Sequence, residues 1–451
     1  MRTTSALLPA AAAAEPLSAA DEAMLDALQR AAFDYFVQHG RRSNGLVADT
    51  SRPGSHASIA VIGFALSAYP VGVERGWMTR DEALLRCLAS LRFFCDSDQS
   101  GKANSTGCHG FYFHFLHMDS GRRAWKCEVS LIDTALLLAG MLTAAAYFTA
   151  ATADEAELRA LVDTLYGRVD WCWAQPDGAA VVHGWKPGSG FLNYGWEGYS
   201  EALLLYALGL GSPTHALTDG SFPAWTGTYQ WENLYGIDFL YAGPLFIHQF
   251  SHAWIDFRGI RDRFMREKHC DYFENSRRAT YVQREYAIRN PRSFAGYDAN
   301  GWGLSAGDGP STPRQRLAGR RQSFYGYAAR GVPWGPDDGT LSGPAVVSSL
   351  VFAPEIALPA VRRLLARGAA AGDGRVRASG YNDTVKAASP GAAAGWVSPG
   401  MFGLDQGMIV LMLENFRTGL VWRLMRGSAP IRRGLQRAGF DGGWLGEAVP
   451  P

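Results

Sequence analysis

Apolar residues recur along this chain at three- and four-residue intervals, while the alternating runs that make half-buried strands are scarce. A first helix is predicted from Ser18-Ala19-Ala20-Asp21, with Leu25, Leu28, Ala32 and Phe36 on a shared face and Gly40 as its stop. Thr79-Arg80-Asp81-Glu82 reads as a capping box before Leu84, Leu88 and Leu91. Thr152-Ala153-Asp154-Glu155 reads as another before Leu158, Leu161, Leu165 and Val169. The stretch 135–151 carries no charge, but Ala, Thr and Gly dilute its hydrophobicity and no basic flank orients it. A buried helix suits it better than a membrane span. Further helices are expected over 200–210, 244–260, 275–290, 353–367 and 405–425, with Gly211 and Pro291 closing two of them. Glycine and proline gather between them, as in 296–310, 334–344 and 388–403. Many paired helices with long glycine-rich loops suggest an all-α fold of α/α-barrel type, its active end where loops and inner-helix termini meet. No linker divides the chain, so residues 18–451 are expected to form one domain after a leader of residues 1–17.

Composition narrows the ligand. The 43 basic and 42 acidic residues of this 451-residue chain balance, which implies neither nucleic acid nor an anionic membrane surface as a partner. A neutral ligand is the natural expectation, with no stable membrane insertion; oligomeric state is not legible. The 14 Trp exceed what a core needs, and the excess must line something. The six cysteines form no C-x-x-C pair and sit mostly in apolar company, as free thiols do, with a disulfide left open for an exported protein. Arg2, the short apolar run at Ala6-Leu7-Leu8-Pro9 and the alanines to Ala14 loosely imitate an export signal. A disordered leader fits them as well, so the sequence leaves cytoplasmic and exported locations both open.

Between Trp196 and Arg258 the chain concentrates residues that bind and cut sugars. Trp196-Glu197-Gly198-Tyr199-Ser200-Glu201 holds two carboxylates and two large aromatics, and His248-Gln249-Phe250-Ser251-His252 runs on to Asp256 and Arg258. Carboxylates supply acid and base, aromatics give flat apolar platforms, and His and Arg hydrogen-bond to hydroxyls. Glu197 and Glu201, four apart, would share a helix face; Glu201 suits either a helix cap or a cleft acid. His248, His252 and Asp256 would form an i, i+4, i+8 stripe, either facing sugar or satisfied in a buried network. Gln249 stands where a zinc H-E-x-x-H motif needs Glu, so neither a metal nor another cofactor is expected. Glu128 and Asp133 precede the uncharged helix, where Ser130 and Asp133 also suit a cap pair, and Asp405 suits an N-cap as well as a catalytic base. No phosphate-binding loop and no G-x-S-x-G elbow occurs.

At these residues the chain resembles the bacterial glucoamylase-like glycoside hydrolases, which include endo-β-1,2-glucanases and are related to the cyclising domain of cyclic β-1,2-glucan synthases. The likeness runs from about Phe33 to Trp422. It rests on Gly72-x-Glu74-Arg75-Gly76-Trp77, Gly110-Phe111-x-x-His114-Phe115-Leu116, Glu128-x-Ser130-x-Ile132-Asp133-Thr134 and Trp196-x-Gly198-Tyr199-Ser200-Glu201. His248-Gln249-x-Ser251-His252, Asp256-x-Arg258, Trp302-Gly303-Leu304, Asp405-Gln406-Gly407 and Glu414-Asn415 follow in the same order. Members usually carry Asn at the place of Ser200 and Tyr at that of Phe250. The resemblance implies an (α/α)6 barrel that cuts a β-glucan, β-1,2-linked and within the chain, with inversion and without a metal. Glu201 is then expected as general acid and Asp405 as base, with Glu128, Asp133 and Glu197 in reserve. Trp196, Tyr199, His248, His252, Asp256, Arg258, Trp302 and Tyr381 are expected on the substrate, with Trp225 and Trp231 as further platforms. Transglycosylation or cyclisation on the same fold, a polysaccharide lyase, and an inactive sugar-binding protein are the competing expectations.

Overall fold

A computed structural model describes residues 17–312, 314–317, 319–371, 376–385 and 395–447; residues 1–16 of the expected leader lie outside the described residues. The helices are α1 (Ala19–His39), α2 (Ile59–Glu74), α3 (Arg80–Asp96), α4 (Leu131–Tyr147), α5 (Ala153–Arg168), α6 (Ala202–Gly211), α7 (Ser221–Thr226) and α8 (Arg263–Glu267). They continue as α9 (Tyr272–Arg289), α10 (Gly343–Ser348), α11 (Pro354–Ala371), α12 (Gly403–Arg417), α13 (Leu420–Arg426) and α14 (Ala429–Arg437).

Two kinds of helix make an (α/α)6 barrel. Helices α2, α4, α6 and α10 are apolar almost all round and buried along nearly their whole length, so they belong at the centre. Helices α1, α3 and α5 bury one stripe and wet the other, so they belong outside. Around the axis α2 packs against α4 and α12, α4 against α6, and α10 against α12. The tightest of these crossings depends on glycine: a Cβ on Gly140 of α4 would stand 2.0 Å from the carbonyl oxygen of Gly63 in α2. The uncharged stretch of the sequence is α4, an inner-barrel helix; among the described residues no helix is long and apolar enough to cross a membrane.

Helix starts follow the caps expected of them. Ser18, Thr79, Ser130 and Thr152 accept from the backbone N–H of Asp21, Glu82, Asp133 and Glu155. Two expected helices differ. Residues 244–260 do not form an α-helix; they wind as two 3-10 turns, Leu245–His248 and Phe250–Ala253, in the fourth inner place. Polar side chains there bond partners on other elements. His248 binds the Ala242 carbonyl, Gln249 donates to the Ala345 carbonyl, and Ser251 donates to the Glu201 carbonyl, and the tighter winding accommodates these outward bonds. The His248/His252/Asp256 stripe therefore does not exist as a helix face. The run 405–425 breaks into α12 and α13 at Gly419, which adopts φ 69°.

Short antiparallel strands, two to four residues each, join the helices. Gly107–Cys108, Phe111–Phe113, Val129–Ser130, Gly184–Lys186 and Gly190–Phe191 pair in that order. Phe115–Leu116 pairs with Ala57–Ser58, which leads into α2. His114 lies between the two pairings and is fixed at the end of the barrel where α2 and α4 begin. All six cysteines are free thiols.

Candidate active site

The inner elements open a cavity of about 250 Å3 at their N-terminal ends. Ile132, Asp133 and Leu136 of α4 line it, with Glu201 at the start of α6. Phe246, Gln249 and Phe250 come from the 3-10 segment, Ser342, Ala345 and Ser348 from α10 and its cap, and Phe402, Asp405 and Met408 from α12. His114 and Tyr327 complete the wall from loops. Glu201 and Asp405, distant in sequence, thus share one cavity, and Asp133 opens onto it too.

Neither Glu201 nor Asp405 is a capping residue. Glu201 occupies the N-cap position of α6 but makes no side-chain capping bond, and Asp405 lies a turn inside α12, whose N-cap is Phe402. Among the described residues neither forms an ion pair with Lys or Arg. Burial pushes the Glu201 carboxyl up to about 7, its own backbone N–H pulls the other way, and the charge of Asp133 adds to the rise. Burial also pushes Asp405 up to about 7, against a hydrogen bond from the Ser379 hydroxyl and with the help of Asp49. Asp49, itself raised to about 6 chiefly by burial, is a neighbour for which the sequence held no signal.

Glu128 and Asp133 are organised differently, around a shared histidine. His114 Nδ1 lies 3.1 Å from Glu128 Oε1 and its Nε2 lies 3.5 Å from Asp133 Oδ2. Burial alone would lower the pKa of this imidazole, but Asp133, Glu128 and Asp49 together push it up to about 9, so it is a cation at neutral pH. The bond from His114 holds Glu128 down at about 2. The Ser130 hydroxyl donates to Asp133 Oδ2 while accepting from its N–H, so Asp133 is a cap partner as well as a cavity residue. The sequence offered His114 only as a motif position; the cation it forms depends on carboxylates brought from elsewhere in the chain.

The other sequence-predicted positions fall outside the cavity. Glu197 is exposed and does not line it. Trp196 is 7% exposed and stacks on His183 at 3.9 Å, so it is core rather than cleft wall. Trp196→Ala is therefore expected to act through stability, by about 3 kcal/mol or more; a thermal melt compared with kinetics on the remaining folded enzyme checks it. Tyr199 stacks on Tyr272, Trp225 stacks on Tyr206, and Trp302 and Tyr381 are buried. Trp231 is half-buried in the hairpin Trp231–Leu234/Ile237–Leu240, 5.5 Å from the Lys268 ammonium. His248 binds the Ala242 carbonyl and His252 meets the Ser276 hydroxyl at 3.0 Å; burial holds these two imidazoles down at about 4 and 3. Asp256 accepts from Arg258 and Arg426, tying loops together as the arginine's chemistry allows. The polar groups of His248, Asp256 and Arg258 are spent on protein partners, whereas the buried indole N–H groups of Trp196 and Trp302 and Nδ1 of His252 find none among the described residues.

Tyr327, 62% exposed, and Phe402 present aromatic surfaces to the opening beside Phe246 and Phe250, and the Tyr327 and Phe402 rings lie 5.8 Å apart. Tyr327 sits in a Gly- and Tyr-rich loop that carries no periodicity, so only the structure reveals it. Among the described residues no group of three or more His, Cys, Asp or Glu side chains is arranged to hold a metal ion.

The model of the Glycoamylase family, described as "Putative glucoamylase", matches residues 193–429, just over half of the 451 residues. The chain belongs to this family. Glu201, Tyr327 and Asp405 lie inside the Glycoamylase stretch, whereas Asp49, His114, Glu128 and Asp133 precede it. An exo β-1,2-glucooligosaccharide sophorohydrolase (non-reducing end) from Parabacteroides distasonis is 26% identical over 453 residues, covering 92% of this chain. The chain spans 58% of the length of that curated relative. The fold agrees closely with a "putative glucoamylase" from Bacteroides uniformis, at TM-score 0.82 and 28% identity over 96% of this chain and all of that one. It also agrees with the endo-β-1,2-glucanase of Chitinophaga pinensis, at TM-score 0.80 and 25% identity over 95% of this chain and all of that one.

Proposed function

We propose that this Glycoamylase-family chain is a glycoside hydrolase that cleaves β-1,2-glucosidic bonds, with residues 18–451 acting as one catalytic unit. The observation that carries the reading is the pair Glu201 and Asp405: two carboxyl groups without a basic partner, on facing inner elements, opening into one cavity with aromatic walls. Glu201, protonated up to about neutral pH, donates its proton to the departing glycosidic oxygen. Asp405 in its ionised form takes a proton from the water that attacks the anomeric carbon on the opposite face, which inverts the configuration. Asp133, held by His114 and Ser130, adds negative charge beside Glu201 and so keeps the proton on the acid. Tyr327 and Phe402 offer faces for a pyranose ring.

Cleavage within the chain is the finer reading, supported by likeness to the endo-β-1,2-glucanase of Chitinophaga pinensis. Release of disaccharide from one end is the second reading, favoured by likeness to the sophorohydrolase. Incubation of purified protein with linear β-1,2-, β-1,3- and β-1,4-glucans, with product sizing over time, tests both. The proposal expects hydrolysis of the β-1,2-glucan alone, with chain length falling early; steady release of a disaccharide from otherwise full-length chains supports the second reading. Larger or cyclic products would mean transglycosylation, and a rise in ultraviolet absorbance from unsaturated ends would mean a lyase. Because the acid and the base are both side chains, EDTA is expected to leave the rate unchanged; loss restored by a divalent ion would contradict the mechanism.

A further inference from the structure

One segment outside the cavity joins backbone strain to an exposed aromatic. Trp125 and Lys126 are consecutive non-glycine residues with φ of 51° and 56°. Side chains on L-residues avoid this region, bulky ones most of all, and a loop free to choose would place Gly or Asn there. The surroundings hold the conformation in place. The Arg123 guanidinium donates to the carbonyls of Lys126 at 2.7 Å and Cys127 at 2.6 Å, and lies over the Phe113 ring at 4.6 Å. The Ala124 N–H donates to the Phe115 carbonyl at 2.9 Å.

What this fixed turn presents is the indole of Trp125, 64% exposed. It does not hang free: it meets the rings of His56 at 4.3 Å and Phe115 at 5.0 Å. Phe115 in turn stacks on His114 at 3.9 Å, and His114 lines the cavity. A row of rings therefore leads from the catalytic wall out to a braced indole whose surface is mostly open to water. Packing does not need this arrangement, since a core residue would be covered. Solvation does not need it either, since an indole in water is unfavourable. Strain that the fold actively maintains is more often found where a side chain must be aimed.

We propose that Trp125 is an outlying sugar platform: a neutral glucosyl ring of the bound β-1,2-glucan, beyond those in the cavity, lays its apolar face on the indole. Long chains then bind more tightly than those too short to reach it. The inference rests on the β-1,2-glucan reading above. Covering one face of an indole corresponds to a change in Kd of about tenfold.

The test measures binding without turnover, by calorimetry of the Glu201→Gln protein with a long linear β-1,2-glucan and with a β-1,2-linked trisaccharide. A second substitution, Trp125→Gly, removes the indole while suiting the left-handed backbone. It is expected to raise Kd for the long glucan about tenfold, to change Kd for the trisaccharide much less, and to leave the melting temperature level or higher. Trp125→Phe, which keeps a flat ring, is expected to retain most of the affinity. An unchanged Kd for the long glucan, an equal loss for both lengths, or a loss that tracks a lowered melting temperature in both variants overturns the platform. Failure of the Glu201→Gln protein itself to bind β-1,2-glucan removes the functional reading and the platform with it. Binding by Glu201→Gln that Trp125→Gly leaves untouched removes the platform alone.

Discussion

Glu201→Gln is expected to lose hydrolysis by about 10²- to 10⁴-fold and, above neutral pH, to be more stable than the natural protein. The two effects share one cause. Burial raises the Glu201 carboxyl from its ordinary value of 4.5 to about 7 in the folded state. Between those values the folded protein binds a proton that the unfolded chain releases, so stability falls as pH rises through that window and stays lowered above it. Gln has no proton to lose and removes that slope. At pH 4 the two proteins should melt at similar temperatures, whereas at pH 8 the variant should melt several degrees higher. Scanning calorimetry at both pH values, beside a reducing-end assay, checks this. An inactive variant that is also less stable at pH 8 would mean that Glu201 serves the fold.

Asp405→Asn is expected to be equally inactive, and the natural enzyme's pH profile should show why. Glu201 must be protonated and Asp405 ionised in the same molecule, yet both titrate near 7. Lowering the pH protonates the base and raising it strips the acid, so kcat/KM should trace a narrow bell centred near neutral pH. His114, held as a cation up to about pH 9, adds no limb at neutral pH, although its stabilising bonds to Glu128 and Asp133 should weaken as pH rises through that value. A rate flat from pH 5 to 9 would argue against two carboxyls near 7 as the acting pair.

Much of the barrel was legible because its signals are local. Thr79, Thr152 and Ser18 cap helices as their spacing predicts, and the uncharged run became an inner helix because a barrel centre accepts only apolar surface. Glu201 and Asp405 were legible as carboxylates at helix starts, since the active end of an α/α barrel is made of such starts. The failures also have physical reasons. His248, His252 and Asp256 have helical spacing, but their side chains bond neighbouring elements, and the segment winds as 3-10 turns instead. Trp196, Trp225 and Trp302 resemble sugar platforms in composition, yet large aromatics also fill cores, and sequence does not record which face is covered. Asp49, Ser379 and Tyr327 act through tertiary proximity, their loops carrying no period. His114 acquires its charge only when Glu128 and Asp133 close around it.

The anomer first released from linear β-1,2-glucan, observed by proton NMR within minutes of adding enzyme and before mutarotation, tests the Glu201–Asp405 pair most directly. Protonation by Glu201 on one side and water activation by Asp405 on the other predicts that β-linkages yield the α-anomer at the new reducing end. A first-formed β-anomer would mean a covalent intermediate and a different pair of carboxyls, and no product from this glucan would contradict the substrate itself.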